Sequence, residues 1–129
     1  MSSPLLQYGL ITFAVIAFFV WKSGVFSDRP TAAAVKAQYE QGTVFVDVRS
    51  RGEWQAGHLR GAVHLPLDQI SANAARVLPD RDQPIVIYCQ SGSRSVSAEH
   101  ILQKLGYTQA VAMRGGIGSL ARAGYPLVK

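Results

Sequence analysis

The stretch Gln83–Ser95 reads QPIVIYCQSGSRS and decides how the rest of the chain is read. Its first half is apolar and β-branched, bounded by Pro84 and Gly92, which predicts a strand with no solvated face. Its second half is a Ser/Gly loop, and the chain's single cysteine, Cys89, stands at the join. Beyond the loop, Ala98, Ile101, Leu102 and Leu105 fall on one helical face, and Gly106 closes that helix. Strand, glycine-containing loop and amphipathic helix in that order are the repeating unit of a parallel α/β sheet.

Working outward, the alternation continues in both directions. Thr31–Gln41 is predicted as a helix stopped by Gly42, followed by the β-branched strand Thr43–Val48. Ser50–Glu53 has the spacing of a capping box, so a short helix is expected to carry Trp54, read as a core residue. A second short strand is expected at AVHLP, Ala62–Pro66, with Asp68 capping a helix that runs to about Val77. Downstream come a strand at QAVAM, Gln109–Met113, and a glycine-rich turn into a last short helix. The fold class is α/β, with a buried, mostly parallel sheet covered by helices on both faces.

The chain has 129 residues and a net charge of +5. Its 13 basic residues are scattered, without the runs or aromatic interleaving of a nucleic-acid footprint, so no nucleic-acid partner is expected. Leu5–Trp21 is free of charge, and 17 helical residues at ~1.5 Å rise approach the ~30 Å of a hydrocarbon layer. It is read as one transmembrane helix within a 1–23 anchor, followed by a 24–30 linker and a 31–129 domain. A cleaved signal peptide is the rival, and the absence of Lys or Arg ahead of the apolar run speaks against it. Lys22, Arg29 and Lys36 follow the span, which places the domain in the cytoplasm of a single-pass protein of a bacterial-type inner membrane. The oligomeric state is left open.

A lone cysteine cannot form an internal disulfide or a multi-thiolate metal site, and His64 and His100 are too dispersed to suggest one, so neither metal nor cofactor is expected. The setting of Cys89 instead suits a nucleophile. The amides of Gln90, Ser91, Gly92, Ser93, Arg94 and Ser95 can curl into an anion nest at the end of the strand. The next helix adds its positive end and Arg94 a permanent charge, and all three favour thiolate over thiol. Cys89 and Arg94 have four residues between them, a tighter ring than the five-residue spacing of protein tyrosine phosphatases. That ring suits one sulfur atom bonded to Cys89 better than a tetrahedral oxyanion.

CQSGSRS resembles the active loop of rhodanese-like domains. VDVRSRGEWQAGHLRGAVHLPL, Val46–Leu67, and MRGGIGSLARAGYPL, Met113–Leu127, resemble two further motifs of that family in the same order. The resemblance spans Thr31–Leu127 and implies a central, mostly parallel five-stranded sheet flanked by helices. It also implies a sulfurtransferase in which Cys89 carries sulfur as a persulfide, from thiosulfate or a persulfide donor to a thiol or cyanide. In its terms Asp47 braces the active loop and His58 fixes a turn. Arg49 is expected to pair with a carboxylate, and Arg114 to reach a donor's negative end. Gln90 stands where many thiosulfate-using members carry a basic residue. The alternatives are a catalytically silent, membrane-tethered binding module, and a phosphatase or arsenate reductase.

Overall fold

The structure is a computed structural model that describes residues 29–129. The expected membrane span Leu5–Trp21 lies outside the described residues. Among those described, no helix is long and apolar enough to cross a membrane.

Four strands form the central sheet: β1 (Val44–Asp47), β3 (Val63–His64), β4 (Ile85–Tyr88) and β5 (Ala110–Ala112), in the order β3-β1-β4-β5. Every pairing in it is parallel, with Val44 opposite Ile85, Val46 opposite Val63 and Val86 opposite Val111. Helices α1 (Lys36–Glu40), α2 (Arg51–Ala56), α3 (Ile70–Val77), α4 (Ser93–Lys104) and α5 (Ile117–Arg122) connect and cover the strands.

The apolar residues of the strands alternate between two cores. Val46, Ile85 and Ile87 enter one, with Ile70 and Ala74 of α3 and Ala98 and Leu102 of α4. Phe45, Val86 and Tyr88 enter the other, with Val35, Leu120 and Tyr125. Because both faces are buried, the strands read as unbroken apolar runs rather than as a polar–apolar alternation.

Several expectations need correction. The resemblance implies five strands, and the sheet has four among the described residues. Past β5, Arg114 N–H donates to the Pro30 carbonyl at 2.7 Å. The first helix is shorter than predicted: Ala32–Val35 form turns, and only Lys36–Glu40 is regular α-helix. Asp68 does not cap α3; it lies in a 3-10 turn, Leu67–Gln69, that leads into the helix. An antiparallel ribbon of β2 (His58–Leu59) with β6 (Leu127–Val128) is present that was not expected. Two-residue strands are too short to leave a period-two pattern in the sequence.

The strand order reverses direction between β1 and β4. The chain leaves β1 towards β3 on one side, then returns to build β4 and β5 on the other. Loops that follow two such strands diverge and leave a crevice at their carboxyl ends, where α/β proteins hold ligands.

Candidate active site

The end of β4 delivers Cys89 to this crevice. Its carbonyl accepts Ile117 N–H at 3.0 Å, tying the loop to the start of α5. Gly116 makes that approach possible: a Cβ there would lie 2.6 Å from the Cys89 carbonyl oxygen and closer still to the Gln90 carbonyl. Gly92 turns the loop into α4 at φ +119°, a backbone conformation open to glycine.

The loop closes around the sulfur. Gly92 N–H donates to Cys89 Sγ at 2.9 Å, and the Ser95 hydroxyl lies 3.6 Å from Sγ and 2.8 Å from the Gly92 carbonyl, so its single proton turns from the carbonyl to the sulfur when the thiol ionises. Cys89 and Ser95 are fully buried, whereas Gln90, Ser91 and Ser93 are exposed. Burial pushes the Cys89 thiol up. The Ser95 hydroxyl and the amides of Ser95, Gly92 and Ser91 more than offset it, and the net shift is downward. The arrangement therefore favours the thiolate form of a buried sulfur through neutral donors.

Arg94 is not one of the larger influences on the sulfur. Its two Nη atoms donate to the two carboxylate oxygens of Glu53 at 2.7 and 2.9 Å. This bidentate pair holds the Glu53 carboxyl down at about 2, and Glu53 in turn, ahead of a weaker contribution from Cys89, holds Arg94 charged. Glu53 also completes the capping box of α2, accepting Ser50 N–H at 3.0 Å. The capping role was legible in the sequence. The pairing with Arg94 was not, because the two residues are 41 positions apart.

The end of β1 supplies the second wall. Asp47 and Arg49 are buried and joined by contacts of 2.8 to 3.1 Å, and Arg49 N–H adds a further bond to Asp47 at 2.9 Å. Burial alone would weaken the Arg49 charge, and Asp47 more than offsets it. Arg49 spends its remaining donors on the Gly57 carbonyl and, at 3.2 Å, on the Gln90 side chain. Asp47 thus reaches the active loop through Arg49.

His58 Nδ1–H donates to the Trp54 carbonyl at 2.9 Å, and His64 Nε2–H to the Arg49 carbonyl at 2.9 Å. Both rings stack on Trp54, at centroid distances of 3.5 and 4.6 Å. Trp54 is half-buried between two histidines rather than in the core. One ring nitrogen of each histidine is committed to a carbonyl of the frame, and neither of these contacts involves the sulfur. Arg114 is exposed, just ahead of the Gly115–Gly116 turn, and His100 is exposed on α4. Among the described residues no cluster of His, Cys, Asp or Glu has the makings of a metal site.

A buried cysteine in a ring of amides at the switch point of a parallel sheet points to a sulfur-handling α/β domain. The chain belongs to the rhodanese-like domain family, whose model matches residues 31–123. It is 39% identical over 85 residues to a sulfurtransferase of Allochromatium vinosum, covering 66% of this chain and 78% of that one. It is 34% identical over 77 residues to the thiosulfate sulfurtransferase PspE of Escherichia coli, covering 60% and 73%. Among solved structures it is similar to a rhodanese with anions from E. coli, with TM-score 0.60 and 31% identity over 68% of this chain and 99% of that one.

Proposed function

We propose that the domain transfers sulfane sulfur through a persulfide on Cys89. The observation that carries this reading is the short Gly92 N–H contact to Sγ within a loop that lowers the thiol's pKa. The thiolate attacks the outer sulfur of a donor such as thiosulfate or a thiol persulfide. The new Sγ–S bond forms as the donor's S–S bond breaks, and the electron pair leaves with sulfite or the donor thiolate. The terminal sulfur anion rests in the amide ring until cyanide or an acceptor thiol attacks it and returns Cys89 to the thiolate.

Full burial of Cys89 sets a condition: a donor reaches the sulfur only if the residues that cover it move aside. Incubation with thiosulfate or another sulfane donor is expected to add one sulfur to Cys89, seen by mass spectrometry. Thiocyanate then forms with cyanide, and Cys89→Ser abolishes both. Failure of every donor to load Cys89 overturns the reading. The same burial favours the second reading, a silent binding module, and partner pull-down unchanged in Cys89→Ser with no turnover would support that instead.

The attachment of the domain to a membrane through residues 5–21 is part of the proposal. It is supported by a run of 17 residues without a charge and by basic residues on its domain side. Recovery of the full chain in the membrane fraction, released by detergent and not by salt, is the expected result.

A further inference from the structure

Two arginine–carboxylate pairs lie beside the loop. Arg49 meets Asp47 at 2.8 Å and Arg94 meets Glu53 at 2.7 Å. Gln90 is neutral, and the groups that most lower the thiol's pKa are uncharged amides and a hydroxyl. The cradle is therefore built for one negative charge, that of the sulfur itself.

A thiosulfate dianion entering this cradle meets a thiolate and no unspent guanidinium on the loop. Both Nη atoms of Arg94 already point at carboxylate oxygens, in the fork geometry that a bound oxyanion would otherwise claim. Glu53 adds a negative charge of its own at the rim, with its side chain 29% exposed. The persulfide group of a thiol brings at most one charge.

We propose that Glu53 selects the sulfur donor: by occupying Arg94 it disfavours thiosulfate relative to a small thiol persulfide, R–S–SH. This rests on the reading of Cys89 as sulfur carrier. In the favoured reaction Sγ bonds to the outer sulfur and the S–S bond of the donor breaks. The electron pair leaves on R–S⁻, which takes up the outer sulfur's proton, and Cys89 is left as Cys89–S–S⁻. Glu53 touches none of the reacting atoms. It is a positioning residue that acts through Arg94.

Glu53→Gln separates this role from the capping role, because glutamine at the same position still closes a capping box. The test is single-turnover loading of Cys89, read by quenched mass spectrometry, with thiosulfate and with hydroxyethyl persulfide as probes. The ratio of the two loading rates, measured on one preparation, does not depend on the folded fraction. Glu53→Gln is expected to raise the thiosulfate-to-persulfide ratio about tenfold, the worth of one freed guanidinium at a partly exposed site. Adding Arg94→Gln is expected to return the ratio to the original value. A ratio unmoved in Glu53→Gln, or a gain that survives Arg94→Gln, overturns the proposal while leaving Cys89 as carrier. Loading by neither donor in the unaltered protein removes both.

Discussion

Two arginine–carboxylate pairs flank the active loop and differ in almost everything but composition. Asp47–Arg49 lies within three residues of one strand end, with side chains 0% and 4% exposed. Glu53–Arg94 joins two helices, with side chains 29% and 34% exposed. The first is dry, so removing one partner leaves a charge stranded away from water. The second is wet, so its contribution to stability is small and its consequence lies in what Arg94 is prevented from doing. Burial, rather than geometry, separates the pair that braces the scaffold from the pair proposed to bear on donor choice.

The largest effect is expected at the buried pair. Arg49→Met strands Asp47 and also frees Gln90, and should cost about 3–5 kcal/mol in urea unfolding. A loss below ~1 kcal/mol would erase the distinction between the pairs. The backbone contact between them comes next. Gly116→Ala drives a Cβ into the Cys89 and Gln90 carbonyls and is expected to cost ~1–3 kcal/mol, with sulfur loading impaired by displacement of the loop. Equal stability and loading in this variant would show that the loop yields freely.

The smallest effect belongs to the rim pair. Glu53→Gln should cost less than ~1 kcal/mol near neutral pH. The folded carboxyl is held below its unfolded value of 4.5, to about 2. The stability it contributes is thus present above about pH 4.5 and lost as pH falls towards 2. The gap between the unaltered protein and Glu53→Gln is expected to close over that window. A gap that stays constant down to pH 2 would contradict the assignment of the shift to Arg94.

Much of this was legible in the sequence because it is local. The strand Ile85–Tyr88, the cysteine at its end, the glycine turn and the amphipathic Ser93–Lys104 helix follow one another without a gap, so periodicity and turn chemistry suffice to read them. The capping box at Ser50–Glu53 is likewise a four-residue pattern. Long-range placement was not legible. The ribbon of β2 and β6 joins residues some 70 positions apart through two pairs only. Nothing local says that Trp54 lies between His58 and His64 rather than in the core. Arg94 as a direct stabiliser of the thiolate was the natural reading of its spacing from Cys89. In the structure Glu53, invisible to spacing, takes both of its Nη atoms, and the attraction between Arg94 and Cys89 is the weaker of the two.

The central claim is that neutral donors, chiefly Ser95 and the amides of Ser91, Gly92 and Ser95, lower the pKa of the Cys89 thiol. The most direct measurement is the pH dependence of Cys89 alkylation in the unaltered protein, in Ser95→Ala and in Arg94→Gln. The midpoint is expected below the ~8.5 of a free thiol, raised clearly by Ser95→Ala and little by Arg94→Gln. A midpoint at or above ~8.5, or a larger rise from Arg94→Gln than from Ser95→Ala, would contradict it.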